Sequence, residues 1–306
     1  MLRGFYPKDR KDPSEILYDT LEQETDMWTH LANAIRRPQD TCTVLYGGKN
    51  RYRRYSDALD VVFRKNLTDY DGPKPDFIFA RGGFEEYTQF LNKFPRSIRV
   101  YYGAGKRYMP QHGKWNMVFV DSPQQREKIA RKTPHQNVQL LWKPAAPHYR
   151  IITNTKQEYD VCFVAVHPKD KRKRVQWVYD TCPRDISILQ LGESPGKHPP
   201  NVTRKSHPRE AVPLAMNSCR VGIAPYTSED SGPRVIPEMN ACGLRVIISE
   251  ELPIWDIMYN TTRCSDDEFW DTVKYSIAYG SHITWTGNAE LAGEHIRNTI
   301  WSLWEE

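Results

Sequence analysis

No run in this 306-residue chain approaches the ~20 consecutive apolar residues that a membrane-spanning helix requires. The mean hydropathy of −0.70 points the same way. The opening residues, MLRGFYPKDRKDP, lack the apolar core of a secretory leader. Cysteine is sparse: Cys42, Cys162, Cys182, Cys219, Cys242 and Cys264 are scattered, with no CxxC pair. That spacing excludes a disulfide framework and a zinc site, and a reducing cytoplasm is the expected setting. The sequons at Asn66, Asn201 and Asn260 carry no weight without secretion. No metal-binding motif is assigned, no cofactor is expected, and no residue stands out as a general base.

What is present suits a packed globular protein of two domains: 39% hydrophobic and 12% aromatic residues over a length that supports two cores. Charge is unevenly spread. Residues 1–150 hold 26 Lys+Arg against 17 Asp+Glu, a net of +9, while residues 151–306 hold the remaining 17 against 21, a net of −4. A basic half next to a slightly acidic one points to a polyanionic partner for the first, or else to a solvated surface without consequence.

Short β-rich runs alternate with helical patterns. Asp12–Arg37 predicts a helix, with Leu17, Leu21, Trp28, Leu31 and Ile35 on one stripe. Strands are expected at Thr41–Tyr46, Asp76–Ala80, Ser97–Tyr102, Met117–Val120 and Asn137–Trp142, with helices at Phe84–Lys93 and Gln124–Lys132. Pro144-Ala145-Ala146-Pro147 breaks the pattern as a hinge. A second set follows: strand Asp160–Val166, helix Lys173–Tyr179, strands Ile186–Leu191 and Asn201–Arg204, and helix Ala211–Asn217. The alternation predicts an α/β protein of two Rossmann-like domains with mostly parallel sheets and a ligand cleft at the carboxyl ends of the strands. The expected division is 1–145, 146–285, and a final helix 286–306 crossing back to the first domain, with Trp301 and Trp304 as anchors.

Val221–Ser249, VGIAPYTSEDSGPRVIPEMNACGLRVIIS, is the most informative segment. Val221–Pro225 reads as a strand, Thr227–Gly232 as a loop, and Pro233 as the first helical position, where no N–H is needed. Gly243 reads as a left-handed stop, and Leu244–Ser249 as a buried parallel strand apolar except for Arg245. Glu229 or Asp230 precedes the helix and Glu238 lies about a turn inside it. Helix N–H groups suit a phosphate, and carboxylates suit sugar hydroxyls. An ordinary βαβ unit with a surface acid is the plainer reading of the same residues.

This segment resembles the E-x7-E region of retaining GT-B glycosyltransferases (glycosyltransferase group 1, family-4-like). Asp230 and Glu238 have the x7 spacing, Glu229 gives x8, and Ala241-Cys242-Gly243 followed by Arg245-Val246-Ile247-Ile248 completes the pattern. Asn116–Ala130, Asn137–Pro147 and Asn201–Pro225 extend the likeness over roughly residues 41–280. The resemblance implies a GT-B fold, a nucleotide-diphosphate sugar as donor, contact of the donor sugar with Asp230 or Glu229, and ribose binding by Glu238. Ser231, Gly232 and Arg234 complete the implied donor segment. After the first strand of the second half the family shows Gly-Arg and then a Lys. Lys171 matches the Lys, but Val166 occupies the Arg position, leaving His167, Lys169 or Arg172 as substitutes. A solvated basic loop, or a handle on nucleic acid, is the alternative for this run.

Three glycine turns follow strands of the first half: Gly47-Gly48, Arg81-Gly82-Gly83 and Gly103-Ala104-Gly105. Each allows close approach of backbone to a ligand, and all should open on one side of the sheet. Lys49-Asn50-Arg51-Tyr52-Arg53-Arg54-Tyr55 follows the first, and Lys106-Arg107-Tyr108 the third. Arg with Tyr suits phosphate contacts and base stacking, so Arg51, Arg53, Arg54, Tyr55, Arg81, Lys106 and Arg107 are candidate acceptor-binding residues. A helix start with exposed Arg is the alternative. His112 and Asp121, near strand ends, are candidate catalytic groups beside Asp230, Glu229 and Lys171; the family's His after a strand of the first domain has no match here. The reading is transfer of a sugar, with UDP as the suspected nucleotide, to an anionic acceptor. A hydroxymethylated pyrimidine in DNA is its most specific form, as in phage-type DNA-modifying glucosyltransferases. Two rivals stay open: a same-fold enzyme acting on a polysaccharide, lipid or protein, and a non-catalytic nucleic-acid-binding protein.

Overall fold

The computed structural model describes residues 31–37, 39–46, 53–56, 59–63, 67–81, 86–103, 115–134, 136–165, 171–192, 197–208, 211–228, 233–254, 259–280 and 289–302. These fall into two compact units that divide between Ala146 and Pro147, with the segment after Asn288 belonging to the first.

The first unit is built on a seven-stranded sheet in the order β2-β3-β1-β4-β5-β6-β7. The strands are β1 (Cys42–Tyr46), β2 (Arg53–Ser56), β3 (Leu59–Phe63), β4 (Phe77–Arg81), β5 (Ile98–Gly103), β6 (Met117–Val120) and β7 (Val138–Leu140). All pairings are parallel except that of β2 with β3. Helices α1 (Glu86–Lys93) and α2 (Pro123–Lys132) make two of the crossovers. Parallel strands are covered on both faces, so they read as unbroken apolar runs; Phe77–Ala80 and Met117–Val120 are buried throughout. Tyr87, Phe90, Tyr101, Val118 and Ile129 share one core. Helix α2 starts where its sequence dictates: Ser122 Oγ accepts from Gln125 N at 3.2 Å, Pro123 takes a first-turn position, and Arg131 and Lys132 lie at the negative end of the dipole.

The sheet of the second unit has six strands, all parallel, in the order β10-β9-β8-β11-β12-β13. They are β8 (Tyr159–Val164), β9 (Ile188–Leu191), β10 (Val202–Lys205), β11 (Cys219–Ala224), β12 (Arg245–Ser249) and β13 (Thr261–Cys264). Helices α3 (Val175–Thr181), α4 (Val212–Asn217), α5 (Val235–Ala241) and α6 (Phe269–Tyr279) connect them. The chain runs outward from β8 to β10, then returns to place β11 on the other side of β8. That reversal is the switch point of a doubly wound sheet, where ligands bind at the carboxyl ends.

The fold class is the expected α/β type, and the anticipated strands and helices that fall on described residues are present to within a few residues. Four local readings change. Within the basic-aromatic run, Arg53–Ser56 forms an antiparallel edge strand, β2, which sets aside the helix start given as the alternative there. Strand β13 and helix α6 were not anticipated, because Thr261–Cys264 is too short and polar to announce itself. Its partner is tertiary: buried Asn240 Nδ2 donates to Leu244 O (2.9 Å) and Asn260 O (3.1 Å), and Asn240 Oδ1 accepts from Asn260 N (3.2 Å). Lys173 does not open a helix; Lys171–Lys173 forms a 3-10 turn and α3 begins at Val175. Helix α5 begins at Val235 with Arg234 as N-cap, so Pro233 stands just outside it. At the other end the expectation at Gly243 holds. Its φ is 85°, Gly243 N donates to Asn240 O (2.9 Å) and Leu244 N to Met239 O (3.0 Å), which is a Schellman cap.

Candidate functional site

In the second unit Lys171–Lys173, after β8, meets the residues that follow β11 at the switch point. Ala165 is buried at the end of β8, and the chain re-enters the described residues at Lys171. Beyond β11, Pro225 and Tyr226 are buried and Thr227 is half-buried. Three contacts join the two. Tyr226 OH donates to Val164 O at 2.7 Å, Thr227 N donates to Arg172 O at 3.0 Å, and Lys173 Nζ sits 3.7 Å from the centre of the Tyr226 ring. The ring face is negative, so it holds an ammonium without neutralising it. Lys171 is exposed, and its side chain makes no hydrogen bond or ion pair among the described residues. The basic run and the acid-flanked segment, more than fifty positions apart in sequence, are therefore neighbours. Glu238 and Arg234, both half-buried, lie at the entrance of α5, where Glu238 N donates to Arg234 O at 3.2 Å. Pro237 in the first turn of α5 removes no helical hydrogen bond, because first-turn N–H groups have no intrahelical acceptor. Glu229, Asp230, Ser231 and Gly232 lie outside the described residues, as do Val166, His167 and Lys169.

In the first unit the parallel register aligns the strand ends. Tyr46 pairs with Arg81, Arg81 with Tyr102, and Gly103 with Val120. The loops after β1, β4, β5 and β6 thus leave along one edge. Arg81 stands there, half-buried, with its carbonyl accepting from Tyr87 OH at 3.1 Å. The reversal of strand order falls between β1 and β4, and Arg81 flanks it. Gly47, Gly48, Arg51, Lys106, Arg107 and His112 lie outside the described residues, and for Arg53, Arg54 and Tyr55 the structure describes the strand alone.

Asp121 ends β6 as expected, yet its side chain is wholly buried. Lys143 Nζ approaches Oδ2 at 3.0 Å. Among the described residues neither carboxylate oxygen completes a hydrogen bond, so the contact with Lys143 is a close ion pair out of hydrogen-bond alignment. Removing either partner would strand a buried charge, a loss of about 3–5 kcal/mol. In this arrangement Asp121 pairs with Lys143 rather than facing solvent.

The sequence left out Arg174 and Asp266. Arg174 occupies the left-handed region (φ 49°), stacks over Trp177 and pairs with Asp266 beyond β13. Only a tertiary contact across 92 positions joins them, and no local pattern signals it. Among the described residues no group of His, Cys, Asp and Glu is placed to hold a metal ion, and no helix is long and apolar enough to cross a membrane.

No family model and no curated protein sequence matches the chain. Solved structures do. HepE of Anabaena, solved in complex with UDP, superposes over 87% of this chain and 99% of its own with a TM-score of 0.57 at 11% identity. Sucrose-phosphate synthase from Thermosynechococcus elongatus covers 96% of this chain and 93% of its own, with TM-score 0.57 and 12% identity. A glycosyltransferase from Rickettsia africae covers 78% and 74%, with TM-score 0.51 and 10% identity. The class these likenesses define is α/β, with two Rossmann-like halves of the GT-B type. At such identities they bear on the fold alone.

Proposed function

We propose that the chain is a glycosyltransferase that takes a nucleotide-diphosphate sugar, with UDP as the nucleotide, at the switch point of its second unit. One observation carries this: the Lys171–Lys173 turn meets Tyr226 and Thr227 at the carboxyl ends of β8 and β11, where a doubly wound sheet binds ligands. A leaving diphosphate needs cations already in place, and preorganised charge is the largest single contribution to such catalysis. Lys171 is the exposed cation there. Arg234, at the entrance of α5, is a further candidate for the phosphates, Glu238 is the candidate for a ribose hydroxyl, and Asp230 or Glu229 for the donor sugar. HepE, which shares the fold, was solved with UDP bound. That supports the choice of nucleotide without carrying it.

The second half, 146–285, is then the donor domain. The basic first half, 1–145, takes the acceptor, and 286–306 is a helix returning to it. The acceptor is proposed to be anionic, in its most specific form a hydroxymethylated pyrimidine in DNA. Support comes from the net charge of +9 over residues 1–150 and from Arg53, Arg54 and Arg81 at or near the strand ends. A base inside a duplex would first be flipped out. Transfer is proposed to retain anomeric configuration, in keeping with the E-x7-E resemblance.

Labelled UDP-glucose incubated with hydroxymethylcytosine or hydroxymethyluracil DNA tests the whole reading, with label expected in the DNA. Sugar transferred to a polysaccharide, lipid or protein and not to DNA would replace the acceptor. DNA binding without any nucleotide-sugar binding would leave a non-catalytic nucleic-acid-binding protein.

A further inference from the structure

Arg174 adopts a backbone conformation that L-residues avoid: φ 49° and ψ 39°. Its side chain is largely enclosed. The guanidinium carbon lies 4.3 Å from the Trp177 ring centre. One guanidinium nitrogen donates to Asp266 Oδ1 at 2.7 Å and the other to Oδ2, a two-pronged pair. The bond from Arg174 holds the Asp266 carboxyl below the ordinary carboxylate range. Asp266 follows β13, the edge strand three places from β8. It is fixed in turn by α6, where Trp270 stacks on Trp177 at 6.3 Å, Phe269 meets Trp177 edge-on at 5.3 Å, and Trp270 Nε1 donates to Thr181 Oγ1 at 2.9 Å.

This assembly stands directly behind the basic turn. Arg174 N donates to Lys171 O at 3.2 Å, closing the turn, and the next carbonyl along, Arg172 O, is the acceptor for Thr227 N. A corner bent into the left-handed region therefore sets where Lys171, Arg172 and Lys173 stand relative to the β11 loop. Nothing local in the sequence stabilises that corner; Arg174 offers no capping side-chain bond to α3.

We infer that Arg174 is a positioning residue of the donor site, held by Asp266 and Trp177 so that the Lys171–Lys173 turn is preformed when a diphosphate arrives. This rests on the donor reading proposed above and adds the residues that make the cationic turn rigid. A preformed site spends less of its binding energy on ordering.

Two variants of the full chain separate this from a conformational role. Arg174→Gly accepts positive φ without strain but loses the pair and the stack. Asp266→Asn keeps the shape and loses the charge. Each is expected to raise the Kd for UDP, measured calorimetrically, about tenfold, and the double variant to lose little more than either alone because both break one unit. Unchanged affinity in Arg174→Gly, or losses that simply add, would overturn the inference. A second readout does not depend on UDP. The Thr227 amide, bonded to Arg172 O, is expected to exchange with deuterium faster in both variants at temperatures well below their melting points. Unaltered Thr227 protection would also overturn it. Failure of the wild-type chain to bind UDP would instead remove the donor reading, and the exchange experiment would still decide whether the pair fixes the turn.

Discussion

Lys171 and Glu238 separate binding from stability. Lys171 is exposed and makes no hydrogen bond or ion pair among the described residues, so Lys171→Ala should leave the melting temperature almost unchanged, as exposed substitutions usually do. It should weaken UDP binding about tenfold, the loss of one charge-assisted contact of about 1.4 kcal/mol. The donor reading expects UDP to raise the melting temperature of the wild type, and Glu238→Ala should remove that rise. A full thermal shift in that variant would exclude the ribose contact. His207 offers a pH test. Burial, and then the neighbouring Lys205 ammonium, push its pKa below the ordinary 6.5. As pH falls, the unfolded chain takes up that proton first, so stability declines below about pH 6.5 and levels off once the folded form is protonated. His207→Gln should flatten that part of the curve in chemical denaturation measured from pH 7.5 to 5.

Close packing of elements can be read at Gly293. A Cβ there would come within 2.3 Å of Ala34 Cβ and 3.0 Å of Leu31 O, so helix α7 (Ala289–Ser302) lies directly on helical residues 31–35. Backbone cannot step aside as a flexible side chain can. Gly293→Ala is therefore expected to destabilise the first unit by about 1–3 kcal/mol despite its better helix propensity, as read from urea unfolding. The N-cap of α2 is a milder case: Ser122→Ala should lower stability by about 1 kcal/mol. The helical period of the final segment is visible in sequence, but the surface it would cover is not. Likewise Asn240 reads as an ordinary helix residue, and only in three dimensions does it tie β12 to β13. The hairpin at 53–63 was missed for a related reason: consecutive Arg residues look like solvent-facing loop or helix until an edge strand gives them a side open to water.

For the molecule as a whole, the charge division and the cysteines make separate claims. All six thiols are free and buried; burial pushes those of Cys42 and Cys242 well above the ordinary value, and the hydrogen bond with the Cys219 thiol, and then burial, does the same to Cys162. Thiolate is the reactive form, so the native protein should react very slowly with a thiol reagent and release six equivalents only on denaturation. Rapid modification of several cysteines at neutral pH would contradict this packing. If the basic first half grips DNA, the affinity should fall steeply and log-linearly with salt, whereas UDP binding to the other half should change far less.

Short unbroken apolar runs alternating with patterns of period near 3.6 were enough to specify two Rossmann-like sheets, because a parallel strand covered on both faces has to be continuously apolar. Gly243 was equally legible, since a left-handed cap has a residue-level cause. The spacing of Asp230 and Glu238 pointed to a donor segment, and Lys171 to a basic loop. Their adjacency was not written in either stretch. It follows from the return of β11 to the side of β8, which brings Thr227 to Arg172 and Tyr226 to Lys173. The same holds for Arg174 with Asp266 and for Asp121 with Lys143. An ion pair depends on distance in space, and the order of strands in the sheet sets that distance, whereas local residue pattern carries no record of it.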